Sequence, residues 1–364
     1  MERFSSEIAS ISDDFELRQI QKITSMSGDI SLSFQSEPSF FEAISVLGSS
    51  QDVIVIRDLE KNKIAGFMIV SIKRVFVNGT PTDVRYLSSV RLLEEYRGTR
   101  LLYKGFKYLE NLICDRKLIN ITTIVEDNHQ AIKVLSKSRA GILNYYPKGK
   151  LKSYVIKPSK RKRYKKKLNF NIQKGLNGFQ LEEIISFINQ EGSKKDFFPV
   201  YSYDTLLHNR LKDFNVDNIY IAYKESTILG VVGIWDQTNF KQIQVTNISR
   251  RMNVLKLFNN TVLSKMFDFP KIPDVNQYIV SLYLNLISVK NDDYNVFSSI
   301  LDKISVDYYK SNYNYIMLGL SEKDPLSIGL KYFRNLEYNS LIYSVGREDL
   351  YVKERVPYLE LSML

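Results

Sequence analysis

SSVRLLEEYRGTRLLYKGFKYLENLI, residues 88–113, is the stretch on which the reading of this chain turns. Its first six residues are strand-like, and a short loop, EEYRGTR, follows. Beyond the loop, Leu101, Leu102, Phe106, Leu109, Leu112 and Ile113 fall on one face of a helix predicted from Leu101 to Cys114. A loop that enters a helix presents backbone N–H groups with no partner inside the helix, and the peptide dipoles add partial positive charge there. That geometry suits a phosphate or diphosphate. Gly98 permits close approach of the backbone, and Arg97 and Arg100 add cationic donors. Many α/β proteins carry a glycine in such a turn and bind nothing with it, so the loop alone leaves both readings open.

Outward from this stretch the pattern is alternately β and α. Upstream, Phe15 to Ile20 alternates like a half-buried strand, and Pro38 to Leu47 has helical spacing behind a proline. Asp52 to Ile56 and Ile64 to Val77 are apolar strands, and Asn78-Gly79 is a hairpin turn into a return strand over Asp83 to Leu93. Downstream come a β-branched strand from Ile119 to Val125 and a helix from an Asn128 cap through Lys137. Two strands, Ile142 to Tyr146 and Leu151 to Ile156, end the unit.

A dense basic run, KPSKRKRYKKK at residues 157–167, then divides the chain. It holds eight basic residues and no acid, so it supplies eight of the eleven net positive charges. Such a run repels itself and reads as a solvated connector, with a nucleic-acid or anionic-surface patch as the other reading. The second half repeats the outline. A helix is predicted over Leu181 to Ile188, paired strands over Asn218 to Tyr223 and Ile228 to Trp235, and a strand over Gln277 to Val289. A helix over Val296 to Tyr309, a strand over Tyr313 to Leu320, a helix from Pro325 and a strand over Tyr338 to Val345 complete it. The order of elements, more than residue identity, argues for an internal repeat. Trp235, Phe240 and Tyr283 are aromatics that can line a pocket or fill a core.

Composition excludes several classes. At 364 residues, with 44% hydrophobic and 25% charged residues, the chain supports two packed domains and not wholesale disorder. Cys114 is the single cysteine and His129 and His208 the only histidines, which excludes an intrachain disulfide framework, a cysteine-cluster zinc site and a three-histidine metal site. No apolar run reaches the roughly 18 residues of a membrane span, and the N-terminus lacks a secretory apolar region. The expectation is a cytoplasmic protein with no metal.

Residues 90–112, VRLLEEYRGTRLLYKGFKYLENL, resemble the central signature of the GNAT acyl-CoA N-acyltransferase superfamily. INITTIVEDNHQAIKVLSKSRAG, residues 119–141, resembles that family's next motif, with Asn128, Ala131 and Gly141 at its characteristic positions. The resemblance covers about residues 15–156 and points to the two-domain bacterial type. It implies an α/β fold of two tandem GNAT-like domains, each a mixed, mostly antiparallel central sheet flanked by helices. The boundaries are an acyl-CoA-binding domain at 1–157, a basic linker at 158–168, and a degenerate domain at 169–364 that contributes to the acceptor site. By resemblance, Arg97, Gly98, Thr99, Arg100, Leu101 and Leu102 hold the diphosphate of acetyl-CoA or another acyl-CoA. Main-chain groups of Val90, Leu92 and Leu93 hold its pantetheine arm, and Asn128 and Ala131 complete the set. The family's two small loop positions are Arg100 and Leu102 here, and Leu135 stands where the family often has a tyrosine acid.

The implied activity is acyl transfer to a small-molecule, peptide or protein amine by direct attack in a ternary complex. Asp83 and Glu126 are the carboxylates near the signature strands, and Tyr145 is the nearby phenol, as candidate base and acid. In the second half, KNDDYNVF replaces the phosphate loop with a glycine-free segment whose Asp292 and Asp293 oppose a diphosphate. Two other functions remain in view. One is a catalytically silent protein of the same fold that binds CoA or a partner. The other is a nucleic-acid or anionic-surface binder acting through the basic run.

Overall fold

The computed structural model describes residues 3–26, 28–113, 118–135, 143–166, 169–207, 210–267, 269–352 and 355–364. The N-terminal half forms strands β1 (Phe4–Ile8), β2 (Ile30–Gln35), β3 (Ser50–Asp58), β4 (Lys63–Val77), β5 (Thr80–Leu92), β6 (Asn120–Val125) and β7 (Asn144–Ile156). The C-terminal half forms β8 (Asn171–Lys174), β9 (Ile219–Lys224), β10 (Thr227–Asp236), β11 (Gln242–Ile248), β12 (Ser281–Val289), β13 (Tyr315–Ser321) and β14 (Asn335–Gly346). Helices α1 (Asp14–Ile23), α2 (Phe40–Ile44), α3 (Leu101–Ile113) and α4 (His129–Leu135) belong to the first half. The second has α5 (Leu181–Gly192), α6 (Tyr203–Leu207), α7 (Arg250–Phe258), α8 (Ser264–Met266) and α9 (Tyr294–Asp307).

Twelve strands make one mostly antiparallel sheet in the order β1-β3-β4-β5-β6-β14-β7-β13-β12-β10-β9-β8. The α/β class with helices flanking a mostly antiparallel sheet is therefore as expected. The two halves exchange strands at the centre of the sheet. β14 inserts between β6 and β7, and β7 is hydrogen-bonded to β14 and β13 of the other half. A second sheet of two strands, β2 with β11, also takes one strand from each half. Among the described residues no helix is long and apolar enough to cross a membrane, and no cluster of His, Cys, Asp or Glu is placed to hold a metal.

Local chemistry explains most elements. Asn78 and Gly79, at φ 50° and 82°, turn β4 into β5. Phe15 to Ile20, predicted as a strand, is instead part of α1. The buried residues there are Leu17, Ile20 and Gln21, spaced three and four apart, while Phe15 faces solvent, so the short alternation was one face of a helix. Residues 144–156 form one strand in place of two, with a register irregularity opposite Ile342 and Tyr343. Cys114, Lys137, Gly141, Ile142, Lys167 and His208 lie outside the described residues. Pro325 opens a 3-10 helix, Pro325–Tyr332, and Asp324 caps it by accepting from the Leu326 N–H at 3.0 Å. Trp235 and Phe240 are fully buried in the core, with ring centroids 6.2 Å apart, so they line no open pocket.

The basic run is not a free arm. Its main chain docks on α9, where the Asp302 carboxylate accepts from the N–H groups of Arg163 and Tyr164 at 2.5 and 3.3 Å. Tyr164 is buried, donates to Asn295 Oδ1 at 2.6 Å and packs edge-on against Tyr332. Lys160, Arg161, Lys162, Lys165 and Lys166 are exposed.

Residues 358–363 lie across the point where β12 and β13 part. These strands pair in parallel only from Ser281 to Tyr283. Just beyond, the N–H of Leu286 (φ 56°) donates to Glu360 at 3.2 Å, and a Cβ on Gly319 would meet Leu361 at 3.0 Å. Glu360 is buried and also accepts from Tyr358, Tyr201 and Ser362. Burial pushes its carboxyl up to about 7 despite those donors. Lys73 donates to the Met363 carbonyl at 2.5 Å. Burial and the nearby Lys241 pull its ammonium down to about 7, and burial pulls Lys241 down to about 8.

Two predictions follow from this packing. Asp302→Ala removes the carboxylate that accepts from the buried Tyr164 N–H and the part-buried Arg163 N–H, and is expected to cost about 1–3 kcal/mol in urea unfolding, against less than about 0.5 kcal/mol for Lys160→Ala. For Glu360, the folded state holds the proton more tightly than the unfolded one. The ionisation penalty therefore grows as pH rises from about 4.5 to about 7 and levels off above that. Glu360→Gln is expected to remove that loss, leaving the variant more stable than the parent at pH 8 by up to about 3 kcal/mol and no more stable at pH 4. Paired urea titrations across that range give the difference directly.

Candidate acyl-CoA site

Strand β5 carries a bulge. Ser89 sits at φ 53°, and the register against β4 shifts between Phe67 and Ile69. On its other side β5 is paired with β6 only at Arg85 and Tyr86. Past Tyr86 the two strands diverge, bridged near their parting by Thr122 Oγ1 donating to the Leu87 carbonyl at 2.6 Å. The Leu93 N–H donates to Ala65 at 2.9 Å, and Arg91 is opposite Phe67. Because alternate residues of an antiparallel strand face opposite neighbours, Val90 and Leu92 turn their main-chain groups away from β4, to the side that β6 has left. Leu93 is different. Its N–H serves Ala65 and its carbonyl accepts from Tyr96, so neither group is open.

The loop after β5 is exposed from Arg97 to Arg100. Gly98 has φ 78°, a conformation that favours glycine, and nothing lies within 4 Å of the position a Cβ would take. Thr99 Oγ1 donates to the Tyr96 carbonyl at 2.6 Å and accepts weakly from the Leu101 N–H at 3.4 Å. Gly98, Thr99, Arg100, Leu102 and Tyr103 have N–H groups with no acceptor among the described residues. The guanidinium groups of Arg97 and Arg100 are likewise unpaired. Leu102, in the first turn of α3, is partly buried against the core of Phe106 and Leu109.

What holds the loop is a network that sequence reading missed. Tyr96 is buried and donates to Asp58 at 2.8 Å, and Arg3 pairs with the same carboxylate at 2.8 Å. Arg3 and these hydrogen bonds hold the Asp58 carboxyl well below its usual range. Burial, reinforced by Asp58, pushes the Tyr96 hydroxyl up to about 12. Lys61 and Lys63 both pair with Glu95. Asp58, closing the apolar strand DVIVIRD at residues 52–58, was the available signal.

Arg91 was also missed. Its side chain is partly buried and donates to Thr24 Oγ1 at 2.9 Å, and its enclosed Nε has no acceptor among the described residues. Burial lowers its guanidinium to about 10. It lines a small cavity of 10 Å³ with Ile54, Met68, Leu92, Leu102 and Gly105. That is barely the space of one water, and Val90, which also lines it, is 37% exposed.

The remaining predicted residues are dispersed. Asp83 is at the opposite end of β5, nine residues or about 30 Å from Leu92 at strand rise, and pairs with Arg74 at 3.2 Å. Glu126 follows β6 but accepts from Lys150 at 2.6 Å and from Asn339 at 2.9 Å, and these hydrogen bonds lower its carboxyl. Tyr145 packs edge-on against Tyr343, and burial holds its hydroxyl in the protonated form. Asn128 caps α4, accepting from the Ala131 N–H at 3.1 Å. Leu135 is a core residue. In the C-terminal half, the region equivalent to the loop is neutralised internally. Asp292 pairs with Lys195 at 2.9 Å, and Asp293 caps α9.

No protein-family model matches the sequence, and no curated protein matches it either. Solved structures do match in shape. A GCN5-related N-acetyltransferase from Sphaerobacter thermophilus superposes with a TM-score of 0.61 at 10% identity, over 100% of this chain and 99% of that one. A Saccharomyces cerevisiae N-myristoyltransferase with bound myristoyl-CoA and inhibitors gives 0.59 at 12%, over 100% and 84%. A GCN5-related N-acetyltransferase from Anabaena variabilis gives 0.51 at 11%, over 93% and 72%. At such identities the likeness is one of architecture: a bulged strand parting from its parallel neighbour, an open loop and a helix, set in a full-length match, give this chain the GNAT fold.

Proposed function

We propose that the chain is an acyl-CoA-dependent N-acyltransferase whose N-terminal half, 1–157, binds the acyl-CoA and whose C-terminal half, 169–364, shapes the acceptor site. One observation carries the reading: among the described residues, five N–H groups and two guanidinium groups between Arg97 and Tyr103 have no acceptor, directly beyond a strand whose Val90 and Leu92 have no partner on the β6 side. Fixed donors of this kind suit a diphosphate and the developing oxyanion of acyl transfer. The structural neighbours include N-acetyltransferases and an N-myristoyltransferase with bound myristoyl-CoA, which supports acyl-CoA as co-substrate. Only the first half keeps the arrangement, since residues 358–363 cover the equivalent strand parting in the second.

In the reaction, the amine nitrogen of the acceptor bonds to the thioester carbonyl carbon, the C–S bond breaks, and the amine proton ends on the departing sulfur. Acetyl-CoA is the co-substrate of choice, and a small-molecule or peptide amine the acceptor. A second reading, a silent CoA-binding protein, is favoured by Leu135 in the core and by the engagement of Glu126 with Lys150.

The first measurement tests the loop as the CoA site, and the second separates the two readings. CoA is expected to raise the melting temperature, because it binds only the folded state, and Arg97→Ala with Gly98→Glu is expected to abolish the rise. An unchanged rise in that variant would reject the loop as the site. Thiol release from acetyl-CoA with a panel of amines is expected to exceed the amine-free rate, and release that never does so selects the silent protein.

A further inference from the structure

The strongest charge concentration in the chain is not at the acyl-CoA loop. Arg161, Lys162, Arg163 and Lys165 form one wall of a cavity of 640 Å³, and Lys331, Tyr332 and Arg334 form the other. Six of these seven residues are cationic and none is acidic. Arg161, Lys162, Lys165, Lys331 and Arg334 have no carboxylate partner among the described residues. Like charges brought together without counter-charges repel, so something must hold them. Asp302 fixes the main chain of Arg163 and Tyr164, Ser305 accepts from Ser159 at 3.0 Å, and the buried Tyr164 ring is wedged against Tyr332. Lys331 lies 5.4 Å from the centroid of the Tyr332 ring, which is 39% exposed, and Arg334 stacks over Phe269 at 5.5 Å. The converging charge is therefore imposed by packing, and five of the six cations have no counter-charge among the described residues.

We propose that this cavity binds a compact polyphosphate anion, at a site separate from the acyl-CoA loop. The cations ring one concavity and do not form a track, which fits clustered phosphates better than an extended nucleic-acid backbone. Three of the six are arginines, which grip phosphate oxygens in pairs. The half-exposed Tyr332 offers a flat face to a nucleobase. Inorganic tripolyphosphate and a nucleoside triphosphate share the recognised chemistry, and binding measurements with each tell whether the base contributes.

The test is titration calorimetry on the full chain with inorganic tripolyphosphate, ATP, inorganic phosphate and a single-stranded RNA oligonucleotide. Tripolyphosphate or ATP is expected to bind at least about tenfold more tightly than phosphate and to weaken about tenfold between 50 and 200 mM salt. Lys162→Glu with Lys331→Glu and Arg334→Glu is expected to weaken this binding at least about thirtyfold. The neutral set Lys162→Gln, Lys331→Gln and Arg334→Gln is expected to give an intermediate loss should charge reversal disturb folding. Neither set is expected to alter CoA-dependent stabilisation, and Arg97→Ala with Gly98→Glu is expected to leave polyphosphate binding intact. The proposal is overturned by unchanged binding in the pocket variants, by equal affinity for phosphate and tripolyphosphate, by tighter binding of the RNA, or by loss of CoA stabilisation in the pocket variants, which would assign the cavity to the co-substrate.

Discussion

The ladder between β5 and β6 is two residue pairs long, Arg85 with Asn120 and Tyr86 with Ile121, and Thr122 bridges to the Leu87 carbonyl just beyond it. Everything distinctive about the N-terminal half depends on that brevity. A longer ladder would spend the main-chain groups of Val90 and Leu92 on a neighbouring strand. The bulge at Ser89 reverses the phase of β5 at the right place, and the sheet stays continuous because β6 takes β14 as its other neighbour along its whole length. The loop beyond is anchored through Tyr96 and Asp58 and exposed from Arg97 to Arg100.

The second half shows the same parting of strands with the opposite outcome. At β12 the left-handed residue is Leu286, and its N–H is already satisfied by a carboxylate from the chain itself. Glu360 thus occupies the kind of position that an exogenous oxygen would take in the first half. Tyr201, Tyr358 and Ser362 surround it, so the covering segment is anchored by polar contacts as well as by Leu359 and Leu361.

Much of this was legible in the residues themselves. Gly98 at positive φ, the amphipathic α3 and the Asn78-Gly79 turn are local features, and local features leave local signals. The alternation of Phe15 to Ile20 was too short to separate a period of two from a period of 3.6. The docking of the basic run escaped notice because eight charges dominate its composition, whereas the anchoring is done by two backbone N–H groups and one tyrosine. Partners inside a sheet leave no trace in a single strand's pattern. Nothing within residues 144–156 says that they lie between β13 and β14. The parting of β5 from β6 at Val90 and Leu92 was expected only through the resemblance, since main-chain geometry is not written in side chains.

The exchanged strands also order events during synthesis. Residues 1–156 emerge first, yet β6 and β7 cannot close against each other, because the strand that separates them ends at Gly346. While the ribosome makes the intervening 190 or so residues, the nascent first half carries an unfilled seam through the middle of its sheet, with the β-branched edge of INITTIV unpaired. Such an edge is an invitation to intermolecular pairing. The architecture therefore ties the solubility of the newborn chain to its speed of completion and to whatever shields that seam in the meantime.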